Sequence, residues 1–142
     1  MLIIEHTVET KASAAAIWHV WQDVCNWKTW DHGLKFSQID GPFKTGTKGT
    51  LKPKDGPLVK THLILVEPMK RFIDEAKLPL ARIIVFHSLK EADGKTYVTH
   101  HIEMKGLLAF FFAYIIGRNM QKNLPQEMQA MVKKAEELGK NF

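Results

Sequence analysis

One helical stripe constrains this chain more than any other feature. Phe110, Ala113, Gly117, Met120, Leu124, Met128, Met131, Ala135 and Leu138 follow one another at steps of three and four. That spacing sets side chains on a single face of an α-helix, so a long helix is predicted from about Leu107 to Leu138. Pro125 lies within it. Its ring removes a backbone donor and crowds the preceding turn, which predicts a kink or a restart near Asn123. Gly139 fits a C-terminal stop. A single helix has no helical partner for such a stripe and needs a sheet to bury it.

The rest of the sequence supplies that sheet. Residues 2–9 alternate Leu2, Ile4, His6 and Val8 against Glu5, Thr7 and Glu9, the period of a strand. The period changes at Ser13, a good N-cap, where alanines and then Ile17, Trp18, Val20 and Trp21 make an apolar helix side. A break is expected near Asp23, followed by a second short helix carrying Trp27 and Trp30. Strands are then predicted at residues 34–41, 49–54, 58–67, 71–78, 81–91 and 95–105. The connections are short, and Asp93-Gly94 is a strong hairpin signal, so the sheet is antiparallel. A curved antiparallel sheet around one helix is a natural place for a cavity.

Several functions are excluded at once. Residues Leu107 to Ile116 carry no charge, but ten residues rise only about 15 Å against a hydrocarbon core of about 30 Å. Arg118, Asn119, Gln121 and Lys122 follow directly, so no transmembrane segment is expected. The net charge is +5, but the lysines are spread along the chain instead of forming a basic stripe, which argues against nucleic acid. The lone Cys25 and an N-terminus without a secretory apolar core lead to a cytoplasmic expectation. Gly46-Thr47-Lys48 inverts the order of a phosphate loop and has no helix behind it. His101–Glu103 begins like a zinc deaminase motif, but the cysteine pair it requires is missing. No metal site and no cofactor are expected.

Three groups of residues carry candidate chemistry. Trp18, Trp21, Trp27 and Trp30 fall within thirteen residues at repeated i, i+3 spacing and suit core packing or a cavity wall. His6, His62, His87 and His100 each sit on an apolar strand face, where a histidine packs in the core or acts as a general acid or base. Residues 72–78 set Asp74 on one strand face and Glu75 on the other, and the inward carboxylate requires a partner.

The segments IWHVWQDVCNWKTWD, GPFKTGTKGTLKPKDGP, VEP, FIDEAKLPLA, VTHHIEMKGLLA and IGR resemble, in this order, the START-like superfamily. Within it the chain is similar to the small bacterial SRPBCC proteins (polyketide cyclase/dehydrase and lipid transport). The resemblance implies an α+β helix-grip fold. About six to seven antiparallel strands would wrap a long C-terminal helix, with two short helices after the first strand, in one domain over residues 1–142. The family's glycine-rich connection would correspond to Gly41, Gly46 and Gly49. The implied function is binding of a small hydrophobic molecule, such as a lipid, aromatic or polyketide-like compound. Its wall would draw on Trp18, Trp21, Trp30, Phe86, Phe111 and Tyr114, with His62, His100 or Arg118 as polar anchors. The enzyme alternative is a cyclase, dehydratase or aromatase whose acid/base group is His100, then Asp74 or Glu75. A third reading is a homodimer formed through the Phe110–Phe112 face.

Overall fold

A computed structural model describes residues 2–139. Seven antiparallel strands form one curled sheet: β1 (Leu2–Thr10), β2 (Leu34–Ile39), β3 (Lys48–Pro53), β4 (Val59–Glu67), β5 (Arg71–Leu78), β6 (Ala81–Ala92) and β7 (Lys95–Lys105). Their spatial order is β1-β7-β6-β5-β4-β3-β2. Helix α1 (Ala14–Gln22) starts on the Ser13 N-cap, whose hydroxyl accepts the Ala16 N–H at 3.1 Å. A short 3₁₀-helix, Val24–Thr29, follows. The C-terminal helix comprises α2 (Ala109–Phe112), a π-helical turn (Ala113–Gly117) and α3 (Arg118–Gly139). Helix α3 packs on α1 and along β1.

Strand alternation sorts the core. On β7, Thr96, Val98, His100, Ile102 and Met104 are buried, and the residues between them are half-buried on the other face. The stripe of α3 meets them, with Leu124, Met128, Met131 and Ala135 buried. The tight turns match their sequences. Asp93 and Gly94 both have positive φ, at 55° and 76°, as a type I′ hairpin demands.

Three sequence expectations change. The helix passes through Pro125 without a break; Leu124 and Met128, buried on either side, anchor it across the one lost hydrogen bond. The departure from α geometry falls instead at Ala113–Gly117. A π turn takes up more residues than an α turn. Counting back from Gly117, the inward position therefore lands on Ala109, which is buried, and Phe110 turns out to solvent. Finally, register shifts between Leu34 and Phe36 and between Leu63 and Leu65 reverse the alternation along β2 and β4. Ser37 is buried in place of Phe36, and its hydroxyl donates to the Val24 carbonyl at 2.7 Å.

The passage from β7 into the C-terminal helix is tight. Gly106 has φ of 113°, and a Cβ there would sit 2.7 Å from both the Ala81 Cα and the Leu80 carbonyl oxygen. Any side chain is strained in that conformation and has no room. Gly106→Ala should therefore lower the stability of the fold by about 2 kcal/mol or more, read as a drop in the urea midpoint at unchanged slope; an unchanged midpoint would show that this passage relaxes freely.

Candidate functional site

Two hairpins and one long-range pairing bring a row of residues across the concave face. His6 on β1 lies opposite His100 on β7, His100 opposite His87 on β6, and His87 opposite Phe72 on β5. The His87 ring stacks on Phe72 with centroids 3.8 Å apart and an interplanar angle of 7°. His100 meets His87 edge-on at 4.5 Å. Asp74 is two residues from Phe72 on the same strand face, and its Oδ1 is 3.7 Å from His87 Nδ1.

Aromatic side chains close over this row. Trp21, fully buried, lies 5.2 Å from Phe72, 5.7 Å from His87 and 6.0 Å from His100. Its indole N–H donates to the sulfur of Met131 on α3 at 2.9 Å. Trp27 donates to the Trp21 carbonyl, also at 2.9 Å. Phe43 reaches in from the connection between β2 and β3 and packs on Phe72 and Trp18 at 5.0 and 5.7 Å. That connection is pinned by the Gly46 N–H on the Leu63 carbonyl and the Leu63 N–H on the Thr47 carbonyl, each at 2.8 Å. The void that remains beside Asp74, lined also by Val24, Trp27, Thr50 and Leu63, measures about 10 Å³. That is the size of one water molecule. The space expected to hold a ligand is filled by side chains in this conformation.

Burial sets the protonation of the polar groups, because a charge is disfavoured where water is excluded. It pushes Asp74 up to about 7. It holds His100 down at about 3, with His6 adding to the effect. His87 is held well below the ordinary histidine range by burial and then by the neighbouring His100. Near neutral pH the interior therefore holds two uncharged imidazoles and a carboxyl poised at its titration point. Asp74 Oδ1, His87 Nδ1 and His100 Nε2 have no hydrogen-bond partner among the described residues.

The residues predicted from sequence separate into two sets. Trp18, Trp21, His100 and Asp74 come together here. Trp30 is buried beside Trp27, at 6.1 Å, toward the rim of the short helices. Glu75 faces the opposite side of the sheet, 3.4 Å from Arg82. His62 pairs with Glu75 on that convex side, because the β4 bulge takes it off the face of Val66. Phe86 also points there and meets His101 edge-on at 5.4 Å; alternation sets it opposite His87. Phe111, Tyr114 and Arg118 are exposed, with the Arg118 guanidinium 5.2 Å from the Tyr114 ring. Sequence reasoning placed His87 on an apolar face without pairing it to Asp74. The hairpin turns held that signal: counting back from Leu78↔Ala81 and Ala92↔Lys95 aligns Phe72, His87 and His100.

Solved structures share this architecture. A hypothetical protein of Helicobacter pylori superimposes with a TM-score of 0.80 at 11% identity, over 94% of this chain and 88% of that one. A protein of Mesorhizobium loti gives 0.75 at 13% identity, over 96% and 98%. Norcoclaurine synthase from Thalictrum flavum, in complex with dopamine and hydroxybenzaldehyde, gives 0.71 at 18% identity, over 96% and 87%. These identities speak to the fold alone. No curated protein sequence matches the chain. The sequence itself matches, over residues 1–136, the family described as polyketide cyclase/dehydrase and lipid transport. A match of that extent, on a seven-stranded sheet closed by a long C-terminal helix, makes the chain a member of the polyketide cyclase/dehydrase and lipid-transport family.

Proposed function

We propose that the chain binds a small, mainly apolar molecule between the concave sheet face and the C-terminal helix, with His100, His87 and Asp74 as its polar floor. One observation carries this reading: three unpartnered polar atoms are directed into an otherwise aromatic interior. Each unpaired buried group costs about 1–3 kcal/mol, and a ligand bearing one or two polar atoms would recover part of that cost. Trp18, Trp21, Trp27, Phe43 and Phe72 would form the wall. An aromatic ligand suits such a wall, and the norcoclaurine synthase of like fold holds dopamine and hydroxybenzaldehyde. Binding requires a side chain to give way. Phe43, half-buried and carried on a connection outside any helix or strand, is the wall that moves.

The neutral fluorophore N-phenyl-1-naphthylamine tests this reading. The wild-type chain should bind it saturably at one per chain by native mass spectrometry, with quenching of tryptophan emission. Phe43→Ala should bind it several-fold more tightly, because the space under Phe43 is then open. No saturable binding by either protein would sink the proposal.

A second reading, a cyclase or dehydratase, is favoured by one specific contact. A carboxyl poised near 7 beside a neutral imidazole at 3.7 Å can donate a proton as one group and accept it as the other without an isolated buried charge. In this role Asp74 takes the place of general acid and His87 that of base. Replacing Asp74 by Asn should then abolish turnover of an aromatic or polyketide-like substrate while N-phenyl-1-naphthylamine still binds; retained turnover would exclude the role.

The same substitution has a stability signature. Asp74 stays protonated in the folded chain up to about pH 7 but ionises near pH 4 when unfolded. Its favourable contribution is thus complete below about pH 4 and is lost as pH rises through 7. Asp74→Asn carries no such loss. It should match wild type near pH 4 and exceed it by roughly 4 kcal/mol at pH 8, measured by urea unfolding across that range. A difference that stays flat with pH would show that the folded chain leaves the Asp74 carboxyl at its ordinary pKa.

A further inference from the structure

The first two turns of the C-terminal helix present an apolar face that the fold leaves uncovered. Leu107, Phe110, Phe111, Tyr114 and Ile115 recur at i, i+3, i+4, i+7 and i+8, and their exposures run from 48% to 81%. Leu80, at 67%, extends the patch, because the Leu108 N–H bonds to the Leu80 carbonyl at 3.1 Å. Large exposed patches of this kind mark contact surfaces. One turn further along the same helix face the chemistry changes sign of interest: Arg118 and Lys122 are both exposed. No aspartate or glutamate occurs from residue 104 to residue 126. The hairpin that carries Leu80 adds Lys77.

We propose that this end of the molecule docks on an anionic membrane surface. Leu107, Phe110, Phe111 and Leu80 would seat at the boundary between headgroups and acyl chains, while Arg118 and Lys122 reach the lipid phosphates. An apolar helix face with a cationic continuation is the arrangement that holds a helix in the plane of an anionic interface. Tyr114, exposed and with the Arg118 guanidinium 5.2 Å from its ring, suits the headgroup level. The helix lies on the surface without crossing it: no helix among the described residues is long and apolar enough to span. A second copy of the chain fits less well. A two-fold contact sets this face on itself, and its cations would then be desolvated with no carboxylate on the face to meet them. An anionic bilayer offers an apolar layer and negative charge at the right depths together.

The surface is separate from the interior row, so its test does not depend on interior binding. Sedimentation should be measured with vesicles of phosphatidylcholine alone and of phosphatidylcholine mixed equally with phosphatidylglycerol. The wild-type chain should bind the mixed vesicles at least about tenfold more strongly than the neutral ones at low salt. The pair Phe110→Ser and Phe111→Ser should lose about tenfold or more on the mixed vesicles, and Arg118→Glu with Lys122→Glu should lose a similar factor. These positions are exposed, and thermal melts of both variants matching wild type would confirm that the fold is intact. Equal binding to the two vesicle types, or serine variants that bind like wild type, would overturn the proposal. A wild-type dimer that the serine pair dissociates, with no vesicle binding, would overturn it in favour of a second copy.

Discussion

The burial of Trp21 joins every layer of this molecule. It is carried by α1, its N–H is taken by Met131 of α3, and its carbonyl receives the indole N–H of Trp27 from the 3₁₀-helix. Its ring rests on residues of β5, β6 and β7. A buried tryptophan must find an acceptor for its one donor, and a thioether is a weak one. The contact nevertheless fixes the rotation of α3, because Met131 has to face the sheet for the bond to form. The stripe from Leu124 to Ala135 then follows as a matter of helical phase.

Beneath that tryptophan the core tolerates polar groups by keeping them uncharged. Desolvation acts with opposite sign on the two kinds of group: it retains the proton on Asp74 and removes it from His87 and His100. Between about pH 4 and 6.5 the native state holds a proton that the unfolded carboxyl has lost and lacks protons that unfolded histidines carry. The slopes therefore oppose one another. A similar situation arises near the surface, where Glu127 of α3 is raised by burial and by the adjacent Asp31, so a second proton is retained between the loop after Trp30 and the helix.

Much of this was legible from the sequence, for reasons that can be located. The strands alternate clearly because one side of the sheet is packed and the other is wet. The turns after Leu78 and Ala92 are tight, so alignment across β5, β6 and β7 follows from local chemistry. The pairing of His6 with His100 joins the first and last strands of the chain, and no local signal encodes it. A period of two carried through β4 puts His62 on the face of Val66, and a single bulge reverses it. Phe86 stood apart from His87 by alternation alone, yet its bulk suggested a wall. Phe110 departs from its expected place for a third reason: α-helical spacing does not hold across the π turn at Ala113–Gly117.

That turn has a consequence for how this surface can change. The segment from Leu107 to Ile116 is apolar almost throughout, so residue identity does not decide which side chains meet water. The wider winding at Ala113–Gly117 decides it, by setting the phase of everything upstream against a fixed anchor at Gly117. Which side chains form this patch is thus written in chain length: losing or gaining one residue would turn a different set of apolar side chains to solvent while keeping the segment's hydrophobicity intact.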